Sequence, residues 1–164
     1  MTVHRDQRRV PYSADAMFDL VADIETYPDY IPWCVGMKMR SRNVEDGSGE
    51  MTADMLVGFR GFRERFRSRV HLDRPAKAID VEYLDGPFRR LVNRWRFIDQ
   101  DDGGSIIDFH IEFEFRNRLL QATAMQVLDK AFKKLSDAFL KRADEVYGDD
   151  GARPGSTAVR RRRP

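Results

Sequence analysis

The chain reads as an α+β fold in which a curved, seven-stranded antiparallel sheet is closed on its apolar face by one long C-terminal helix. Two observations carry this reading. Residues 107–116 alternate without a slip, with Ile107, Phe109, Ile111, Phe113 and Phe115 on one face and Asp108, His110, Glu112, Glu114 and Arg116 on the other. That is the period of two of a strand with one greasy and one wet face. Residues 119–147 then run without Gly or Pro, and apolar side chains recur at helical spacing at Leu120, Ala124, Val127, Leu128, Ala131, Leu135, Ala138, Phe139 and Val146. A sheet closed in this way is a container, so a ligand is sought before a reaction.

The preceding elements follow in order. Residues 3–10 form an opening strand of poor alternation, ended by Pro11. Ser13 is a good helix N-cap, Asp15 sits in the first turn where a carboxylate suits the helix dipole, and Met17, Phe18, Leu20 and Val21 supply a buried side. Asp23 starts a second short helix that Pro28 and Pro32 break. Strands over 36–44 and 50–59 are separated by a Gly- and Asp-rich turn, and Gly61 marks the next reversal. Phe62, Glu64, Phe66, Ser68, Val70 and Leu72 then alternate with Arg63, Arg65, Arg67, Arg69 and His71, so this strand wears its arginines outside. Ile79, Val81 and Tyr83 share a face of a strand over 78–84, and Leu91, Asn93, Trp95 and Phe97 form the inner face of the next. Short turns force antiparallel pairing, because a parallel neighbour needs a crossover of a dozen or more residues. Gly58 and Gly61 are expected to supply a bend or bulge rather than a phosphate cradle.

Composition bounds the rest. A chain of 164 residues is one domain by length, and such a domain buries about 70% of its unfolded surface, enough for a core with a cavity. The hydrophobic share of 41% and charged share of 34% are those of a soluble globular protein, with no apolar run near the ~20 residues that cross a bilayer. Residues 1–10 are polar and basic, so the expectation is no secretory signal and cytoplasmic residence, with which the lone Cys34 agrees. Five of the 29 Lys and Arg and two of the 27 Asp and Glu fall in 148–164, leaving a body with 24 basic and 25 acidic residues. The division expected is one domain over 1–147 and a disordered basic tail over 148–164, whose arginines could approach anionic lipid or RNA.

The order of strand, two short helices, six strands and long helix is that of the helix-grip fold. Within it lie Tyr27-Pro28 followed by Ile31-Pro32-Trp33-Cys34; Val57-Gly58-Phe59 followed by Phe62, Glu64, Ser68, Arg69 and Val70; Asp85-Gly86-Pro87-Phe88 with Leu91; Trp95 with Phe97; Phe113-Glu114-Phe115; and Phe139 with Arg142, Tyr147 and Gly148. In order and spacing these pieces resemble the coenzyme Q-binding START-domain proteins and their bacterial relatives, including the RatA ribosome-association group, within a superfamily that also holds polyketide cyclases. The resemblance runs from about residue 10 to 148. Mitochondrial members carry a transit peptide, and the start here is of the bacterial type. The resemblance implies noncatalytic binding of a polyprenylated quinone such as ubiquinone in a hydrophobic cavity. The role implied is a lipid chaperone that supports cellular respiration or quinone biosynthesis, with no cofactor. It also implies peripheral contact with the cytoplasmic face of the inner membrane.

A quinone headgroup is flat and accepts hydrogen bonds without donating any, so its pocket needs donors and a flat wall. On the inner faces Ser68, Tyr83 and Asn93 can donate and Trp95 offers a stacking surface. The apolar lining expected is Met55 with Trp33, Leu56, Val57, Phe59, Phe62, Phe66, Leu91, Phe97, Phe109, Ile111 and Phe113. At ~0.8 kcal/mol per methylene, one isoprene unit contributes roughly 3 to 4 kcal/mol before ordering costs. A pocket of the usual ~300 to 1,000 Å³ holds only a few units, so a long tail must leave, along 27–33 or into a partner subunit. Each of these aromatics is also what an ordinary core would place there. Glu64 interrupts the apolar face and is expected to pair with an arginine at the sheet end. Cys34 reads as a small packed thiol.

Catalysis is weakly supported. Of His4, His71 and His110, the first lies near the terminus and the others on outward faces. No metal-ligand spacing, nucleophile elbow, P-loop or dinucleotide fingerprint occurs. Glu64 with Tyr83 or Ser68 is the remaining acid/base set, as in aromatases and cyclases that share the fold. A third class is binding to ribosomal RNA or a ribosomal subunit through Arg63, Arg65, Arg67, Arg69, Arg94, Arg96 and the tail. Cross-strand pairing with Asp80, Glu82, Asp108, Glu112 and Glu114 accounts for the same stripe without RNA.

Overall fold

The computed structural model describes residues 2–59 and 61–148, without the side chains of 59, 62 and 124–129. The strands are β1 (Thr2–Val10), β2 (Cys34–Glu45), β3 (Ser48–Phe59), β4 (Phe62–Asp73), β5 (Ala78–Asp85), β6 (Phe88–Asp99) and β7 (Ser105–Phe115), and the helices α1 (Ala14–Ala22), α2 (Tyr27–Tyr30) and α3 (Arg118–Tyr147). All seven strands form one sheet in the order β1-β7-β6-β5-β4-β3-β2, antiparallel throughout. β2 to β7 are a meander in chain order, β1 returns beside β7, and α3 lies across the concave face. This is the helix-grip arrangement expected.

Local chemistry sets the turns and helix ends. Asp46 (φ 55°) and Gly47 (φ 82°) link β2 to β3 with two left-handed residues, as a tight hairpin of this twist requires. At Gly86 (φ 146°) a Cβ would lie 2.5 Å from that of Phe66, so only glycine fits between β5 and β6. Ser13 caps α1 by accepting the Ala16 N–H at 3.1 Å. Pro28 does not break the second helix. It sits in the first turn of α2, where its missing N–H has no helical acceptor to lose. Asn117 caps α3 by accepting the N–H groups of Leu119 (2.8 Å) and Leu120 (3.1 Å).

The bend was expected at Gly58, but Gly58 pairs regularly with Arg63. Irregularities lie in edge strand β2, between Cys34 and Gly36 and between Met39 and Ser41, across β4–β5 at Arg67/Ser68, and across β6–β7 between Phe88 and Arg90. Bulges on an edge curve the sheet and blunt its open side. The weak alternation of β1 has a packing cause. Its inner residues are polar because they meet the polar flank of α3: Ser136 donates to Asp6 (3.1 Å), Arg8 pairs with Asp137 (3.1 Å), and His4 stacks on Phe132 with centroids 4.4 Å apart. The tail over 149–164 lies outside the described residues.

Candidate functional site

A cavity of about 140 Å³ lies between the concave face and α3. Its floor is built by inward residues of successive strands: Met37 of β2, Ala53 and Met55 of β3, Phe66, Ser68 and Val70 of β4, Ile79 and Val81 of β5, Leu91, Asn93 and Trp95 of β6, and Phe109 and Ile111 of β7. Phe132, Leu135 and Phe139 of α3 form the roof, and Val21, Ile24, Tyr27, Ile31 and Trp33 an end wall. The hollow exists partly because Ala53 and Ser68 face each other across β3 and β4, two small residues where the flanking positions carry larger ones. The volume is below the ~300 Å³ at which ligand pockets usually begin, yet similar to an engineered apolar cavity of ~150 Å³ that accepts benzene.

Of the side chains expected around a guest, Trp33, Phe66, Ser68, Leu91, Asn93, Trp95, Phe109 and Ile111 line the cavity, as does Met55. Others do not. Leu56 is 37% exposed on the convex face, because Met55 takes the inward position and alternation turns its neighbour out. Val57 is half-buried opposite Cys34 and Glu64, at the sheet end and outside the lining. Phe97 packs edge-on against Phe18 of α1, and Phe113 packs among Phe88, Phe115 and Phe132, both as core. The side chains of Phe59 and Phe62 lie outside the described residues. Glu64 makes no ion pair among the described residues. It is half-buried near the β3–β4 turn, and Arg60 of that turn lies outside the described residues. Tyr27, Ile31 and Phe139 enter the wall without having been singled out as lining, because the α2 segment folds under α3: Tyr27, Tyr30 and Phe139 meet edge to face at centroid distances of 5.4 to 6.2 Å.

The polar groups divide sharply. Trp95 Nε1 donates to Asn93 Oδ1 (3.2 Å) and Asn93 Nδ2 donates to the His110 carbonyl (3.0 Å), so these two side chains are bonded to each other and to the sheet. Trp95 is further packed edge to face with Phe109 (4.7 Å) and Phe139 (5.3 Å) while lining the cavity. Tyr83 lies outside the lining and uses its hydroxyl to accept the Phe88 N–H at 3.0 Å, closing the β5–β6 turn. The Ser68 hydroxyl and the Trp33 indole N–H are buried without a hydrogen-bond partner among the described residues.

Among the described residues no Asp, Glu, Lys, Arg or His lines the cavity. Its one titratable wall group, the Tyr27 hydroxyl, donates to the Val21 carbonyl, and burial pushes its pKa well above the ordinary phenol value. Burial also raises the Cys34 thiol, which keeps it protonated and unreactive. Among the described residues no cluster of His, Cys, Asp and Glu is placed to hold a metal ion, and no helix is long and apolar enough to cross a membrane. The convex face is the opposite environment. The Asp54 carboxylate, 1% exposed, accepts from Arg67 Nε (2.8 Å), Arg40 Nε (2.9 Å) and Arg65 Nη1 (3.2 Å). The Arg67 hydrogen bond, with help from Arg40, overcomes burial and holds its pKa well below the usual carboxylate range.

This architecture defines a helix-grip protein with an internal apolar hollow. The chain belongs to the polyketide cyclase / dehydrase and lipid transport family, whose model matches residues 10–140. It is 36% identical over 138 residues to the ribosome association toxin RatA of Escherichia coli K12, covering 84% of each chain. It is 30% identical over 149 residues to the mitochondrial coenzyme Q-binding protein COQ10 homolog B of Xenopus laevis, covering 88% of this chain and 59% of that one. The solution structure of the 18 kDa protein CC1736 from Caulobacter crescentus superposes with a TM-score of 0.76 at 38% identity, covering 90% of this chain and 99% of that one. The Zhui aromatase/cyclase from a Streptomyces species has a TM-score of 0.75 at 18% identity, covering 88% of this chain and 94% of that one. That last likeness is one of fold alone.

Proposed function

We propose that the protein binds a polyprenylated quinone of the ubiquinone class in its internal cavity, without catalysis, and carries it in support of respiration or quinone synthesis. The observation that carries the reading is an internal hollow walled by aliphatic and aromatic side chains with, among the described residues, no ionisable acid or base besides a deeply buried, internally bonded tyrosine. General acid–base chemistry needs a titratable group near neutrality within hydrogen-bond reach of a substrate, and this wall offers none. The relative named as coenzyme Q-binding supports the choice of guest. At about 140 Å³ the hollow takes a ring or one isoprene unit, so a longer tail requires the α2 segment or α3 to shift.

Mass spectrometry of lipid extracted from protein purified out of quinone-rich cells tests this directly. A prenyl quinone at a substantial fraction of one per chain is expected. Repeated extracts without one, together with failure of added quinone to bind, would abandon the carrier.

A second reading, association with the ribosome, is favoured by a different observation. Lys38, Arg40, Arg63, Arg65 and Arg67 crowd the outer face of β2–β4 around Asp54, and relatives 30 to 36% identical bear the name ribosome association toxin. Co-sedimentation with ribosomal subunits that falls steeply with salt, and is lost in an Arg63→Glu/Arg65→Glu variant, would support it.

A further inference from the structure

We propose that Trp33 and Ser68 are the polar contacts the cavity wall offers a guest, so that the guest is an uncharged molecule that accepts hydrogen bonds from these two side chains. The inference rests on the lipid-binding reading and deepens it by fixing the guest's polarity and direction. Among the described residues the other polar side chains of the wall already make hydrogen bonds: Asn93 and Trp95 with each other and with His110, and Tyr27 with Val21. Ser68 is 8% exposed and Trp33 half-buried, and both polar atoms are cut off from solvent with no protein partner.

A buried donor left unmade costs free energy of the order of a whole hydrogen bond, so a wall with two of them is complete only when something supplies acceptors. An indole N–H donates and cannot accept, which makes the demand specific. A carbonyl oxygen satisfies it, and a hydrocarbon does not. A carboxylate is excluded on other grounds: with no Lys, Arg or His in the wall, its charge would be buried without a counter-ion.

Both donors are held by backbone, not by chance rotamers on a loop tip. The Trp33 carbonyl accepts the Gly58 N–H at 2.9 Å, which ties the α2–β2 connection to β3. Ser68 sits at the slip in register between β4 and β5, opposite Ala53, where a bulge re-aims the strand and a small neighbour leaves space. A guest therefore turns its acceptors toward Trp33 and Ser68, and its hydrocarbon meets Leu91, Phe109, Ile111 and the α3 roof.

The test is calorimetric titration of the full chain with three probes of equal prenyl length: a prenylated benzoquinone, the corresponding prenylated benzene without oxygens, and a prenyl carboxylic acid at neutral pH. The wild type should prefer the quinone over the hydrocarbon by about 10-fold or more, as expected for buried donors that gain acceptors, and should not bind the acid measurably. Trp33→Phe and Ser68→Ala should each weaken quinone binding about 3- to 10-fold while leaving hydrocarbon affinity unchanged. Thermal melts and Ser68→Thr, which keeps the hydroxyl and should restore quinone preference, separate loss of a donor from loss of fold. Equal binding of quinone and hydrocarbon, survival of the preference in both variants, or binding of the acid overturns this inference while the carrier stands. Failure of all three probes overturns the carrier itself.

Discussion

The two faces of the sheet are made by alternate residues of the same strands, and they treat polar groups in opposite ways. On the convex side Asp54 is as buried as any core residue, yet three guanidinium groups reach its oxygens. On the concave side the Ser68 hydroxyl, on the strand between outward-facing Arg67 and Arg69, has no hydrogen-bond partner among the described residues. A buried polar group that is answered from within belongs to the architecture; of those left unanswered among the described residues, Tyr30, Trp33, Ser68 and Ser105, it is Trp33 and Ser68 that line the cavity. The comparison separates Asn93 and Trp95, which the fold uses, from Trp33 and Ser68, which it does not.

The strongest way to break this comparison is Trp95→Ala. If Trp95 belongs to the architecture, truncation should cost about 3 to 5 kcal/mol in urea unfolding, the usual range for a buried aromatic, and enlarge the cavity. A loss below about 1 kcal/mol would place it among guest contacts instead. Next is Asp54→Asn, expected to lose about 1 to 3 kcal/mol, moderated because the arginines left behind are partly exposed and rehydrate. The pH dependence has a fixed sign. A carboxyl whose folded pKa is depressed stabilises fully above its unfolded value of about 4, and that contribution is lost as pH falls toward the folded value. The stability gap between wild type and Asp54→Asn should therefore be constant near neutrality and narrow below about pH 4, with guest binding unchanged.

Smaller effects sharpen the contrast at the roof and the rim. Asn117→Ala removes the α3 cap and should cost about 1 kcal/mol, read as faster amide exchange in the first turn of that helix. Arg5→Ala removes an exposed pair with Asp108 (3.0 Å) and should change stability by under about 1 kcal/mol, a difference that moderate salt erases. A larger, salt-resistant loss would mean that the convex face is held together pair by pair and not by its backbone ladder.

What could be read in advance follows the range of the interactions. The alternation of β7 and β4 and the Gly- and Asp-rich turns are local, and those strands stand where they were expected. The α3 stripe was legible in direction, although Phe132 and Ala143 join Leu135 and Phe139 in the buried set, because the helix rotates to meet β1 with Ser136 and Asp137. Leu56 was misplaced because hydrophobicity alone cannot choose between two adjacent apolar residues; the register with β4 does. The polar wall was the least legible part. Asn93, Trp95 and Tyr83 are capable donors in any sequence, and only their neighbours across the sheet show how each is used.

By itself, then, the amino-acid sequence determined the order of elements, the antiparallel meander and the oily character of one face, because strand period and turn length act between residues close in the chain. Tertiary structure alone decided the size of the hollow, the burial of Asp54 beneath its arginines and the isolation of Trp33 and Ser68. Each of these depends on atoms brought together from distant strands, where a hydrogen bond is made or missed over a few tenths of an ångström.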